Sequence, residues 1–245
     1  MDATRAAPEF LAELARAVLA AGARTLNLPD TVGFATPDRV AEMIRDVRAR
    51  VPELAAATIS FHGQDDLGLA TANSLAAIVA GAGQVELTVN GIGERAGNTS
   101  LEEVAAALHV HGARLGVTTG LRLGTLHALS CAVAERSGIA VPPNKAVVGR
   151  NAFRHASGIH QDGVLKHRET YEVLDPAWIG HPTGSEIVLG KLSGRAGFAS
   201  RIAALGFALG EPELERAFRA FQRLAATRRE VGDPQLRELI AKLAA

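Results

Sequence analysis

The sequence predicts an α/β fold in which parallel strands alternate with helices, followed by a mainly helical segment. Three stretches of the first half each read as a strand, a polar loop and a helix, with strands at residues 25–28, 58–61 and 85–89. Consecutive units of this kind imply parallel strands joined by right-handed crossovers. The alternation stops after about residue 115. We therefore expect a first domain over residues 1–140 and a helical subdomain over residues 141–245.

The first two helices are predicted from apolar spacing and from residues that favour helix ends. Residues 8–21 have apolar side chains at helical spacing, and Gly22 follows where a C-terminal glycine is favoured. Thr36 suits the N-cap of a second helix and Pro37 its first turn. That helix is expected to run to about residue 50.

Two further helices follow the second and third strands. An alanine-rich helix is predicted over residues 69–80. Ser100 and Glu103 have the spacing of a capping box, which would open the helix after the third strand. Residues 121–136 read as another helix.

The second half contains fewer regular patterns. Its composition changes at the prolines 142 and 143, and residues 144–197 are rich in glycine, histidine and charge without clear periodicity. Two helices are predicted beyond them, over residues 211–227 and 234–243.

The amino-acid composition excludes some classes of binding partner. Lys and Arg total 26, as do Asp and Glu, so no field of one sign favours nucleic acid or an anionic membrane surface. No apolar run approaches the roughly 20 residues of a membrane span, and the N-terminus lacks a signal-peptide pattern. We expect a cytoplasmic protein with a small-molecule ligand. Cys131, the only cysteine, is expected to be a small core residue.

Two strand-end segments contain candidate binding groups. His62 and Gln64 are two residues apart, so both side chains project from the same side of an extended segment and could reach one metal ion. The alternative is a hydrogen-bonded loop. Residues 90–98 are glycine-rich, which suits either close approach of a ligand or a tight turn with a surface pair of Glu94 and Arg95. The glycine spacing is not that of a dinucleotide site.

Proton-transfer groups are concentrated further along. His160, Asp162, Lys166 and Tyr171, the only tyrosine, lie within a dozen residues. Such a set suits general acid–base chemistry, although a solvated polar loop would have the same composition. The glycines and two cations of residues 190–195 could hold a phosphate or carboxylate, or could form a turn.

These segments, in this order, resemble the signatures of the 2-isopropylmalate synthase family over nearly the whole chain. They are residues 28–33, 62–73, 90–98, 144–146, 157–166 and 189–195. The wider family includes homocitrate and citramalate synthases. Its members condense acetyl-CoA with a 2-oxo acid on a divalent metal at the mouth of a TIM barrel. The resemblance therefore implies a partial TIM barrel, its last three or so β/α units, followed by a helical lid or linker.

The resemblance also implies roles for individual residues. His62 would bind the metal, which would be Mn²⁺, Mg²⁺ or Zn²⁺. Gln64 stands where the family usually has a second histidine, so the site would be weaker or differently selective. Asn98 matches a position of the metal site, and Thr31 matches the residue that holds the 2-oxo acid carboxylate. Two further residues match groups implicated in deprotonating the acetyl-CoA methyl: His160 and Tyr171.

Family members begin with an Asp-Gly-x-Gln motif that supplies a metal-binding aspartate and an adjacent arginine. These 245 residues do not contain it. We therefore expect a second chain with the front half of the barrel, a homodimer, or both. The alternatives are a homocitrate synthase-type condensation with 2-oxoglutarate, and a non-catalytic fragment or regulatory paralogue.

Overall fold

The computed structural model describes residues 1–244 and shows two compact units. The first consists of Met1–Pro142 with Ala146–Val148. The second consists of Pro143–Lys145 and the chain from Gly149 onward. Among the described residues, none of the helices combines the length and apolar composition that crossing a membrane requires.

The first unit is built on a parallel sheet in the order β1-β2-β3, which confirms the predicted α/β class. The strands are β1 (Thr25–Asp30), β2 (Thr58–Gly63) and β3 (Gln84–Glu86). The helices of this unit are α1 (Pro8–Ala20), α2 (Pro37–Arg50), α3 (Ala70–Ala80), α4 (Leu101–Leu115) and α5 (Leu126–Ser137). Gly22 and Gly81 have left-handed φ values of 97° and 106°, which is why α1 and α3 end where glycine predicts.

Strand β3 is shorter than predicted. It ends at Glu86, and the chain then turns through a short 3₁₀ segment, Val89–Gly91. The Asn90 backbone has a φ of 61°, and its N–H donates to both carboxylate oxygens of Glu102 at 2.9 and 3.0 Å. Glu102 is fully buried, so this contact fixes the turn and stops the strand.

The predicted capping box is wrong, although Ser100 is the N-cap of α4. The Ser100 hydroxyl donates to Glu102 at 2.7 Å rather than accepting from the helix. Glu103 accepts from the Thr71 hydroxyl of α3 at 2.6 Å. Both glutamates of the first turn are therefore used in tertiary contacts.

The second unit contains a two-stranded parallel sheet, β4 (Arg154–His155) with β5 (Glu186–Ile187). Its helices are α6 (Gly158–Lys166), α7 (Arg195–Ala204), α8 (Glu211–Ala225) and α9 (Asp233–Ala244). The core lies between α7, α8 and α9, where the rings of Phe198 and Phe221 stack with centroids 4.9 Å apart.

Helix α6 lies within the stretch that lacks sequence periodicity and α7 begins at its end, so neither was predicted individually. Tertiary contacts stabilise α6 in place of an apolar stripe. The expectation for Cys131 is wrong. Cys131 is exposed on α5 rather than buried in a core.

Phe61 lies at the centre of the first unit and has no solvent exposure. Replacing Phe61 by Ala should lower the free energy of unfolding of this unit by about 3–5 kcal/mol, because it removes a buried ring and leaves a cavity. Phe34→Ala is the matched control, since Phe34 is 53% exposed and its loss should change stability by less than about 0.5 kcal/mol. Hydrogen exchange of the β1 and β2 amides measures the effect. Equal exchange rates in the two variants would contradict the assigned core.

Candidate functional site

The predicted site residues of the first unit lie where its parallel strands end. In the sheet register, His62 of β2 lies opposite Pro29 of β1 and Glu86 of β3. The carboxyl ends of parallel strands open on one edge, so the loops that follow them meet there. Thr31 follows β1, Gln64 follows β2, and Asn98 lies in the loop that follows β3.

Glu86 orients the His62 imidazole. His62 Nδ1 lies 3.1 Å from Glu86 Oε2, and Glu86 Oε1 accepts from the Asn27 side-chain amide at 2.8 Å. A carboxylate only accepts, so Nδ1 holds a proton, and in the neutral imidazole the lone pair is on Nε2. Glu86 is not among the site residues predicted from the sequence. The signal that would have found it is its parallel register with His62.

Gln64 and Asn98 are joined by an isolated antiparallel β-bridge. Their side-chain oxygens, Gln64 Oε1 and Asn98 Oδ1, are buried and make no hydrogen bond within the described part of the chain. The Gln64 amide nitrogen lies 3.4 Å from His62 Nε2. Buried acceptors without partners are costly, by about 1–3 kcal/mol each. Two such oxygens in the strand-end segments next to His62 are candidate ligands of a cation, and the Gln64 amide would have to turn to direct its oxygen toward the imidazole.

These ligand candidates are one imidazole and two neutral amides. Within residues 1–244, no group of three His, Cys, Asp or Glu side chains is placed to hold a metal ion. Amide oxygen with imidazole is a donor set that divalent cations of the Mg²⁺ and Mn²⁺ type accept.

Asp30 and Asp2 fix the loop that contains Thr31. The fully buried Asp30 carboxylate accepts from the Thr4 hydroxyl and from the backbone N–H groups of Phe34 and Ala35. The Thr31 hydroxyl oxygen accepts from the Asp2 backbone N–H at 2.7 Å. Because that contact uses the oxygen as an acceptor, the hydroxyl hydrogen remains able to donate to a ligand.

Arg95 connects the three strand-end loops, a role that sequence analysis missed. Its guanidinium binds both carboxylate oxygens of Asp66 at 2.8 and 3.0 Å and donates to the Thr31 carbonyl at 2.7 Å. The hydrogen bonds from Arg95 hold the pKa of Asp66 below its usual value. The expected surface pair with Glu94 is weak by comparison, at 4.0 Å.

The glycine-rich loop itself is a tight turn, one of the two readings that its sequence allowed. Gly97 has a φ of +99°, and a Cβ there would lie 2.1 Å from the Gly91 carbonyl oxygen. A Cβ at Gly93 would lie 2.4 Å from the Asn98 amide nitrogen. These glycines therefore allow the Asn98 side chain to lie inside the turn.

The second unit brings together the other two predicted residues. The rings of His160 and Tyr171 stack with centroids 4.1 Å apart and an interplanar angle of 26°. Both residues are exposed to solvent. A basic imidazole and a phenol are thus in contact at an accessible surface, which suits proton transfer to or from a bound molecule.

Gln161, next to His160, is fully buried and anchors α6. Its amide nitrogen lies within hydrogen-bonding distance of the carbonyls of His155 (3.0 Å) and Val188 (2.8 Å), which connects the helix to strand β4 and to the residue that follows β5. Asp162 pairs with Lys166 one turn later at 2.6 Å. Of the four predicted proton-transfer groups, Asp162 and Lys166 are therefore occupied with each other.

Residues 190–195 form a turn that leads into α7. The Gly190 N–H donates to the Ser193 hydroxyl at 3.0 Å, and Gly194 is the N-cap of the helix. Arg195 pairs with Glu211 and, at 3.6 Å, with Glu215. These contacts favour the turn over an anion site that uses Arg195.

The same unit contains a buried hydrogen-bonded pair, His155 and Glu172. His155 Nε2 lies 2.8 Å from Glu172 Oε1, and the two side chains are 8% and 5% exposed. Burial alone would raise the pKa of Glu172, but hydrogen bonds from Ser185, His155 and Arg168 lower it below the usual 4.5. Neither residue was predicted from the sequence, because a single histidine in a segment without periodicity gives no signal.

Comparison with known proteins adds the family. Residues 1–133 match the family described as HMGL-like, and residues 147–229 match the one described as homocitrate synthase post-HMGL domain-like. The chain belongs to the HMGL-like family. Curated relatives of this HMGL-like chain include proteins named 2-isopropylmalate synthase, which confirms the resemblance seen in the sequence.

Two relatives show how far that similarity extends. The protein from Pyrococcus furiosus is 54% identical over 91% of this chain and 45% of its own length. That from Pyrococcus abyssi is 52% identical over 98% of this chain and 49% of its own length. The chain thus spans about half the length of the curated relatives that it matches.

Among solved structures, an HMG-CoA lyase of Bacillus subtilis aligns with a TM-score of 0.48 and 25% identity, over 56% of this chain and 46% of that one. A hydroxymethylglutaryl-CoA lyase of Pseudomonas aeruginosa gives a TM-score of 0.48 and 25% identity, over 55% and 45%.

The Glu172 contacts predict acid sensitivity of the second unit. A carboxyl group whose pKa is lowered by folding stabilises the fold above its usual pKa, here 4.5, and this stabilisation is lost as the pH falls through the folded value. Glu172→Gln should remove that part of the pH dependence. Urea unfolding followed by Trp178 fluorescence at a series of acidic pH values measures it.

Glu169→Gln is the matched control, because Glu169 is an exposed glutamate of the same turn and should leave the acid dependence unchanged. A Glu172→Gln protein with the same dependence as the unsubstituted chain would contradict the assigned role of the pair.

Proposed function

We propose that this chain is part of an acetyl-CoA-dependent acyltransferase that condenses acetyl-CoA with 2-oxoisovalerate to give 2-isopropylmalate. The observation that supports it most directly is that Gln64 and Asn98, in the strand-end segments next to His62, each have a buried amide oxygen without a hydrogen-bond partner. The relatives named 2-isopropylmalate synthase support the choice of reaction.

We propose that the strands β1–β3 are the last part of a TIM barrel. The remaining strands would come from a polypeptide that corresponds to the other half of the relatives, on a second chain or elsewhere in a longer one. Homodimerisation is compatible with either arrangement. A sheet of three strands has open edges, and a barrel requires that such edges be paired.

His62, Gln64 and Asn98 are the residues proposed to hold a divalent cation. When bound, the cation would supply Lewis acidity toward the ketone of the 2-oxo acid. Glu86 keeps the His62 lone pair directed away from β3, as carboxylate partners of metal-binding histidines do. All of these donors are neutral, so a carboxylate from the complementary half would strengthen the site.

Thr31 is proposed to donate its hydroxyl hydrogen to the substrate carboxylate while its oxygen accepts from Asp2. His160 is proposed to remove a proton from the acetyl methyl group, with the Tyr171 ring stacked against its imidazole. That proton is very weakly acidic, so a positioned base is needed, and such a base contributes about 10²–10⁴-fold to the rate.

A homocitrate synthase-type reaction with 2-oxoglutarate is the second candidate. It is favoured by the description of the family that residues 147–229 match. The two reactions differ in the substrate side chain, which is apolar in 2-oxoisovalerate and anionic in 2-oxoglutarate.

The proposed reaction is tested by the release of free CoA from acetyl-CoA with Mn²⁺ and either 2-oxo acid, for the chain alone and with a polypeptide carrying the first half of a relative. We expect activity with 2-oxoisovalerate only when both halves are present, and its loss in His160→Gln. A preference for 2-oxoglutarate would favour the second candidate. Activity of the chain alone would contradict the need for the other half, and inactivity of both mixtures would favour a non-catalytic or regulatory protein.

The metal site is tested separately by Mn²⁺ binding, measured by electron paramagnetic resonance. His62→Ala should abolish binding, and Glu86→Gln should weaken it by about 10- to 100-fold, because the imidazole loses its orienting partner. Glu42→Gln is the matched control, since Glu42 is exposed and pairs with Arg39 on the surface of α2. Unchanged binding in Glu86→Gln would contradict the assignment.

A further inference from the structure

The stacking of His160 and Tyr171 in the second unit depends on the absence of a side chain at Gly163. A Cβ on Gly163 would lie 2.4 and 2.8 Å from Cε2 and Cδ2 of the Tyr171 ring. Gly163 lies one turn after His160 on α6, so Tyr171 covers both positions. Only glycine leaves the space in which Tyr171 can lie flat against the imidazole.

The backbone next to Tyr171 is fixed by the buried residue that follows it. The Glu172 carboxylate lies 2.8 Å from His155 Nε2 and accepts from Arg168 at 3.1 and 3.2 Å. The Tyr171 and Glu172 N–H groups both donate to the Arg168 carbonyl at 3.1 Å. The turn that contains Tyr171 is therefore tied to strand β4 through His155.

Helix α6 is tied to the same residue. The His155 carbonyl accepts from the Gln161 side chain at 3.0 Å, while the His155 imidazole contacts Glu172. One residue of β4 thus anchors the helix that presents His160 and the turn that presents Tyr171. The positions of both rings therefore depend on the same buried residue, His155.

We infer that Gly163 and Glu172 are positioning residues that hold Tyr171 against His160, Gly163 by leaving space and Glu172 by anchoring the turn to His155. Neither residue touches a reacting atom. The significance for catalysis rests on the proposed function of His160 and Tyr171. General acid–base catalysis depends on this kind of placement, since a displacement of about 1 Å can lower a rate by roughly 10²-fold.

Gly163→Ala in the full chain tests the inference. Alanine favours a helix over glycine, so α6 should remain folded while the Tyr171 ring is displaced. Asp162→Ala is the control on the same helix, because it removes only the pair with Lys166. The readout is the nuclear Overhauser effect between the ring protons of Tyr171, the only tyrosine, and those of His160. We expect it in the unsubstituted chain and in Asp162→Ala, and its loss in Gly163→Ala.

Glu172→Gln is the second variant and should weaken the same effect, with circular dichroism to verify folding. If the ring contact persists in Gly163→Ala, the inference is wrong, whether or not the chain is active.

In the assembled enzyme, Gly163→Ala should lower kcat about 10²-fold with an unchanged KM for the 2-oxo acid. Loss of the ring contact without loss of kcat would overturn the positioning role. If the unsubstituted protein has no activity, the proposed function fails and the ring contact alone decides the inference.

Discussion

The parallel register of β2 with β3 is the constraint on which the candidate site of the first unit depends. It places His62 opposite Glu86, and the carboxylate then determines which imidazole nitrogen keeps its lone pair. A shift of one residue in this register would turn every side chain of one strand to the other face of the sheet. The buried residues Ile59 and Phe61 oppose such a shift, because it would move them out of the apolar core to the face that bears Ser60 and His62. Core packing and site chemistry are thus set by the same alignment.

The loops that follow β1, β2 and β3 are held in place by side-chain hydrogen bonds. Asp30 fixes the loop after β1 from the buried side, and Arg95 fixes it from the exposed side while also binding Asp66. Arg95 has a φ of 57°, an uncommon conformation for a residue other than glycine. Its three hydrogen bonds offset the strain of that conformation. The three loops are therefore preorganised by contacts among themselves, which lowers the conformational cost of binding a ligand.

Much of the first unit was predictable because its signals are local. Proline and glycine at helix ends, together with alternating β/α units, placed α1 to α3 and β1 and β2 to within about two residues. The family resemblance named His160 and Tyr171, which the structure places in contact, but it gave no reason for Gly163. Helix α6 was missed because Gln161, rather than an apolar stripe, holds it to the sheet. Glu86, Arg95, His155 and Glu172 were missed because their partners are distant in sequence, and single-sequence patterns report only neighbours along the chain.

The two contacts of His155 have a mechanical consequence for the second unit. Its carbonyl and its imidazole belong to one residue, so the helix bearing one ring and the turn bearing the other share a common pivot. A displacement of strand β4 would therefore move the helix and the turn together, which favours a constant spacing of the two rings although both lie at an exposed surface.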